Sequence, residues 1–173
     1  IDHGFALGGT VDIPVDYELL VRQIEALAQA DNHWLPVLSN ASACLFEAMD
    51  NINWAGFYLV DESTRDKKTP ELRLGPFQGK VACVRIPFGR GVCGTATAED
   101  KTQLVSDVYA FPGHIACDAA SRSEVVVPLH CGGHVVGVLD IDSPLLDRFS
   151  AYDARGLESF VRALENCVCW NAC

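Results

Sequence analysis

Positive charge is scarce in this sequence. Thirteen Lys and Arg residues stand against 23 Asp and Glu, a formal net charge of −10 over 173 residues. An acidic surface repels phosphate backbones and anionic headgroups, which argues against nucleic acid or a membrane surface as a partner. Long apolar runs are missing as well. None approaches the roughly 20 residues needed to span a bilayer. Gly89, Gly91 and Gly94 lack the strand–helix setting and the lysine of a phosphate-binding loop. Ser121 and Ser123 flank Arg122 with no Ser–His–Asp context around them. The opening Ile1-Asp2-His3-Gly4 shows neither an initiator Met nor the basic-then-apolar pattern of a signal peptide, and reads as a processed start.

What is present suits a globular protein. Apolar residues make up 49% and charged residues 21% of the chain, ordinary usage for one compact domain that buries roughly two-thirds of its unfolded surface. The eight cysteines are the outlying feature: Cys44, Cys83, Cys93, Cys117, Cys131, Cys167, Cys169 and Cys173. They are spread thinly through strong hydrophobic patterns in a chain large enough to fold on its core. A reducing, cytoplasmic setting is therefore expected, with thiols as buried fillers or redox groups rather than a disulfide framework. Cys44 and Cys131 read as fillers.

The pattern divides the chain into a lead-in (1–14), one domain (15–166) and a cysteine-containing tail (167–173). Tyr17, Leu20, Ile24 and Leu27 recur at helical spacing over residues 16–30. A second helix is expected over 34–49, with Pro36 in its first turn and Leu38, Ala41, Leu45, Phe46 and Met49 on one face. Strands are expected at 53–60, 71–74, 81–86 and 103–108. Two branched runs, 125–129 and 135–139, flank Gly132-Gly133, a two-residue hairpin signal. Ser150-Ala151-Tyr152-Asp153 resembles a capping box ahead of a closing helix with Leu157, Phe160, Val161 and Leu164 inward. The order predicts an α+β domain, a mainly antiparallel sheet with helices packed on it.

Three segments carry a specific likeness: Ala82-Cys83-Val84-Arg85-Ile86-Pro87-Phe88-Gly89-Arg90-Gly91-Val92-Cys93-Gly94, Phe111-Pro112-Gly113-His114-Ile115-Ala116-Cys117-Asp118, and Ser121-Arg122-Ser123-Glu124-Val125-Val126-Val127-Pro128. With Asn53-Trp54-Ala55-Gly56-Phe57-Tyr58 and Gly137-Val138-Leu139-Asp140-Ile141-Asp142-Ser143, they resemble the free methionine-(R)-sulfoxide reductase family over residues 17–164. The resemblance implies a GAF-type fold with a ligand pocket on one face of the sheet. It implies Cys117 as nucleophile, Cys83 as resolving thiol and Cys93 as a second recycling thiol. It places Trp54, Tyr58, Glu124, Asp140 and Asp142 around the substrate. It also implies thioredoxin as reductant, no cofactor, a role in oxidative stress and preference for the free amino acid; a homodimer is left open. The rival reading is a GAF sensory module that binds a small molecule without chemistry.

Reducing a sulfoxide requires a thiolate to attack sulfur and an acid to protonate the departing oxygen; the cysteine becomes a sulfenic acid, which a second thiol converts to a disulfide. Asp140 and Asp142, two apart on a strand, share a face with centres roughly 7 Å apart. Glu124 begins the neighbouring strand, so the three carboxylates are expected to converge. Their mutual repulsion raises the pKa of at least one, giving an acid, and leaves negative charge for the substrate's ammonium. Trp54 and Tyr58 share a face and wall the thioether chain. For Cys117, Asp118 and the acidic cluster disfavour the thiolate, with His114 and Arg122 as the cations nearest in sequence. Cys93, near a helix start, has the more favourable local field by sequence. A metal reading sums His114, Cys117, Cys131 and His134 to a Cys2His2 set; the spacings fit no common finger, and no metal is expected.

Overall fold

The computed structural model describes residues 13–170. Most of the lead-in, and Cys173, lie outside them. The order is α1 (Tyr17–Ala30), α2 (Trp34–Ala48), β1 (Trp54–Val60), β2 (Glu71–Gly79), β3 (Arg85–Pro87), α3 (Gly91–Glu99), β4 (Gln103–Val105), β5 (Ser123–Cys131), β6 (His134–Ser143) and α4 (Ala151–Cys167). The six strands form one sheet in the order β3-β2-β1-β6-β5-β4. Every neighbouring pair is antiparallel.

Period-two alternation along the three central strands sorts the sheet into two faces. Ala55, Phe57, Val125, Val127, Leu129, Leu139 and Ile141 point to one side, where α1, α2 and α4 bury them. Trp54, Tyr58, Val126 and Val138 point to the other, where α3 contributes Val92, Cys93 and Ala96. The helices thus seal one face completely, and α3 with the loops roofs the other. That second face carries every candidate residue.

The turn of the hairpin is set locally, and a bulge between Leu129 and His130 shifts its register by one residue on the way to Glu124. Gly132 and Gly133 adopt φ of 60° and 80°, the two positive values a two-residue primed turn requires. Cys131 and His134 close it as cross-strand partners. The closing helix starts on the expected box. The Asp153 backbone N–H donates to Ser150 Oγ at 3.2 Å and the Ser150 N–H to Asp153 Oδ2 at 2.9 Å. Tyr17 donates to the other oxygen of Asp153 at 2.7 Å, joining α1 to α4.

Several boundaries differ from the sequence expectation. The buried stripe of α1 is Tyr17, Leu20, Ile24 and Ala28, and Leu27 is exposed; a spacing of three and four residues drifts off a straight helix's 3.6-residue stripe within three turns. Phe46 likewise falls at the edge of the α2 face. The strand expected over 81–86 shrinks to β3, with Val81 and Val84 turned to solvent. The strand expected over 103–108 stops at Val105, ahead of a short 3-10 turn, Val108–Ala110. The strand expected over 71–74 runs on to Gly79, with a register break against β1 between Gly56 and Tyr58. Pro76 sits in that break, where no ladder N–H is needed. Cys167 ends α4 rather than starting a tail, and the Cys169 N–H donates to the Asn32 carbonyl at 2.7 Å.

Gly56 lies between Asp140 on β6 and Phe77 on β2. A Cβ there would meet the Phe77 Cα at 2.7 Å and the Pro76 carbonyl at 2.8 Å. Both are backbone atoms that cannot swing aside. Gly56→Ala is expected to destabilise the fold by about 1–3 kcal/mol, read as a lowered midpoint in urea titration.

Candidate active site

On the second face, Glu124 of β5 lies directly opposite Asp142 of β6, and Asp140 lies opposite Gly56 of β1. The three carboxylates therefore share one patch as the floor of a narrow cavity of about 50 Å³. Glu124 and Asp140 are only 7% and 5% exposed. Burial is the largest cause of their perturbation, and it raises all three. Asp140 is pushed up to about 6. Glu124 and Asp142 are raised well above the usual carboxylate range, by burial first and then by the charge of Asp140. Each carboxyl of the floor therefore gives up its proton at a higher pH than an exposed carboxyl does. Asp140 Oδ1 is buried without a hydrogen-bond partner.

Trp54 and Tyr58 stand on the same face two rows apart, their rings stacked at 5.8 Å, with Phe77 stacked on Trp54 at 5.1 Å. Their polar tips face outward. Trp54 Nε1 donates to the Lys80 carbonyl at 3.2 Å and the Tyr58 hydroxyl to the Cys83 carbonyl at 3.0 Å. The two aromatics thus wall the cavity and also hold the segment bearing Cys83. Burial raises the Tyr58 pKa, the Asp140 charge adding to it, so the phenol stays a neutral donor.

Cys83 is joined to Cys117 by a disulfide spanning 34 residues of sequence. Cys117 sits on the irregular stretch between Phe111 and Ser121, exposed at the lip of the cavity. Cys93 is a free, buried thiol in the first turn of α3, its Sγ 3.9 Å from Glu124 Oε1. The helix start does not favour its anion. Burial first, then Asp140, Glu124 and Asp142, push its pKa well up. This overturns the expectation that Cys93 has the better local field.

All eight residues singled out in the sequence come together. Trp54, Tyr58, Cys93, Cys117, Glu124, Asp140 and Asp142 line the cavity, and Cys83 is bonded to Cys117. The cations near Cys117 go elsewhere in part: the Arg122 guanidinium lies 5.3 Å over the Tyr109 ring, while His114 lines the cavity. The Cys2His2 set does not assemble. His114 and Cys117 belong to the cavity, and Cys131 and His134 close the hairpin, seven or more residues down β5 from Glu124 at about 3.3 Å each. Among the described residues, the donor atoms close enough to suit a metal are those of Cys93, Glu124 and Asp140, within 4.8 Å of one another. Arg90, Asp118 and Ser121 also line the cavity, and Asn53 bonds to the last two. All four lie inside the motif segments, yet the sequence alone assigns Asp118 only an electrostatic effect on Cys117 and the other three no role, because polar residues carry no periodic signal.

Residues 17–168 match the GAF domain family. The chain is 52% identical over 149 residues to the free methionine-R-sulfoxide reductase of Escherichia coli, covering 86% of each protein. It is 43% identical over 157 residues to the Saccharomyces cerevisiae enzyme of the same name, covering 87% of this chain and 85% of that one. This chain belongs to the free methionine-R-sulfoxide reductase family of GAF domains. The crystal structure of the Neisseria meningitidis free methionine-R-sulfoxide reductase in complex with its substrate superposes with a TM-score of 0.83 at 45% identity, over 94% of both chains. The expected α+β GAF architecture is thus the observed one. Among the described residues no helix is long and apolar enough to cross a membrane.

The raised Asp140 pKa has a stability consequence. Its folded pKa lies above the unfolded value, so the folded state binds the extra proton between about pH 4 and pH 6. Stability therefore falls as pH rises through that window, and the full cost is present above it. Asp140→Asn is expected to stabilise the protein by on the order of 1–3 kcal/mol at pH 8 and by nothing at pH 4. Thermal melts of both proteins at the two pH values measure it.

Proposed function

We propose that this chain reduces free L-methionine (R)-S-oxide to L-methionine with its own thiols. The reading is carried by one observation: a disulfide between two loop cysteines closes over a cavity floored by three buried carboxylates. The family's named substrate fits that chemistry.

In the proposed reaction the Cys117 thiolate attacks the sulfoxide sulfur while a protonated carboxyl of the floor gives its proton to the oxygen. The S–O bond breaks, the oxygen passes to Cys117 as a sulfenic acid, and methionine leaves, reduced by two electrons. The Cys83 thiol then attacks the Cys117 sulfur and expels water, forming the Cys83–Cys117 bond. Two thiols are oxidised for each sulfoxide reduced, so atoms and electrons balance. A dithiol reductant of the thioredoxin class reopens the bond in a cytoplasmic setting, with Cys93 entering only in later recycling.

The roles on the floor follow from its electrostatics. Asp140 ionises before its two neighbours, so its charge faces the substrate's ammonium, and Glu124 or Asp142 retains the proton that is delivered. Trp54 and Tyr58 wall the thioether. Preference for the free amino acid follows from a buried anionic floor, because a peptide nitrogen carries no charge to meet it.

Reduced protein mixed with free methionine-R-sulfoxide is expected to lose two thiols per methionine formed. Binding without thiol loss would instead make the chain a sensory module. Cys117→Ser is expected to form no methionine, and Cys83→Ser to form one equivalent and stop with Cys117 as a sulfenic acid, trapped by dimedone and weighed by mass spectrometry. Glu124→Gln is expected to lower kcat by roughly 10²–10⁴-fold, the usual contribution of a positioned acid.

A further inference from the structure

The segment carrying Cys117 has little regular structure between Phe111 and Ser121, yet its sulfur must meet both a substrate on the carboxylate floor and the Cys83 sulfur. Something outside the segment has to fix it. The Tyr109 hydroxyl donates to the Ala119 carbonyl at 3.0 Å, and the side-chain bonds to the residues flanking Cys117 come from Asn53, the residue just before β1. Its Nδ2 donates to Asp118 Oδ2 and to Ser121 Oγ, both at 3.1 Å. Asp118 is the residue next to Cys117. Its other carboxylate oxygen accepts from the Ala120 N–H at 2.9 Å, and its carbonyl accepts from the Ser121 N–H at 3.2 Å. Ser121 is itself 6% exposed. On the opposite side, the Asn53 backbone N–H donates to the Asp142 carbonyl at 2.9 Å. One residue therefore links the nucleophile's segment to the strand carrying two of the floor carboxylates.

We propose that Asn53 is a positioning residue that sets the Cys117 sulfur against the carboxylate floor by clamping Asp118 and Ser121 to the end of β1.

The residue type suits the task. An amide offers two N–H groups on one atom, enough for two acceptors, and brings no charge to an already acidic site. A carboxylate there would repel Asp118, and an ammonium would compete with the substrate's. The clamp also has a cost. With Nδ2 committed to the loop, Asn53 Oδ1 is left buried without a donor. Misplacing a reacting atom by about 1 Å costs on the order of a hundredfold in rate without changing the groups that hold the substrate.

This inference rests on the reduction proposed at Cys117, and the experiment separates the two. Full-length reduced protein is mixed with free methionine-R-sulfoxide in single-turnover and steady-state assays, using wild type, Asn53→Ala, Asp118→Ala and the double variant. Thermal melts run alongside. Each single variant is expected to lower the rate of methionine formation roughly 10- to 100-fold with KM changed less than about threefold. The double variant is expected to be no slower than the slower single, because both remove one linkage. After turnover, dimedone is expected to trap a larger share of Cys117 in the variants, as Cys83 meets a displaced sulfur. Asn53→Ala turning over within about threefold of wild type overturns the clamp, as does a double variant whose losses multiply. Asp118→Ala reaches the same linkage from the loop side, so a poorly folding Asn53→Ala leaves the question decided by that variant alone. Wild type forming no methionine overturns the reduction instead.

Discussion

Three carboxylates enclosed side by side are the constraint around which the rest of this structure is arranged. Removing one ionisable group from water is costly, and removing three together is tolerated only if protons stay on the cluster. The floor achieves this through position. Glu124 and Asp142 are direct cross-strand partners, and Asp140 lies one row along on the same face. That geometry is a matter of register. A slip of one residue between β5 and β6 would turn one strand's carboxylates, Glu124 or the Asp140 and Asp142 pair, into the apolar layer beneath α1, α2 and α4 and break up the floor. The turn at 132–133 sets the pairing beside it, a bulge between Leu129 and His130 shifts that pairing by one residue, and the alternation of Val125, Val127, Leu139 and Ile141 into the helix-covered face fits the register at the floor.

The site divides its work between rigid and irregular backbone. The three carboxylates and the aromatic wall stand on β1, β5 and β6, where the ladder holds them. The two bonded sulfurs stand on connections, 80–84 and 111–121, with few backbone ladders of their own. Side chains from the rigid part reach up to hold these connections: Trp54 and Tyr58 to the carbonyls of Lys80 and Cys83, Asn53 to Asp118 and Ser121. Chemistry that makes and breaks a sulfur–sulfur bond needs sulfurs that approach and part, whereas proton delivery needs a fixed donor. The fold supplies each from the kind of backbone that suits it.

Much of this is legible in the order of residues alone. The period of two in 125–129 and 135–139, with Gly132-Gly133 between them, specifies the hairpin; the bulge between Leu129 and His130 that brings Glu124 opposite Asp142 is not legible there. Ser150 and Asp153 mark the start of α4. What stays hidden has a common cause. Leu27 and Phe46 lie at the margins of helical stripes, where a small phase error decides burial. Val81 and Val84 are branched residues with strand propensity, but they belong to a connection turned outward so that Cys83 reaches Cys117. Asn53 is a polar residue at a strand's edge, ordinary until its three-dimensional partners are known. Local pattern encodes which face a residue takes; it does not encode which distant loop a side chain will hold.

The same physics orders the thiols. Cys93 lies in the helix turn that the sequence would favour for an anion, yet its sulfur is enclosed by apolar neighbours and faces Glu124 and Asp140. A helix terminus contributes about half an elementary charge and acts over a single turn. Burial beside carboxylates outweighs that, so the thiol keeps its proton and is a weak nucleophile while the floor is intact. Cys117 stands exposed at the lip, outside the enclosure around Cys93. In the proposed reduction, a sulfenic acid on Cys117 would have the Cys83 sulfur, the one bonded to it in this structure, as its nearest partner, and Cys93 would come last, because its thiol must first lose a proton that burial and the neighbouring carboxylates hold.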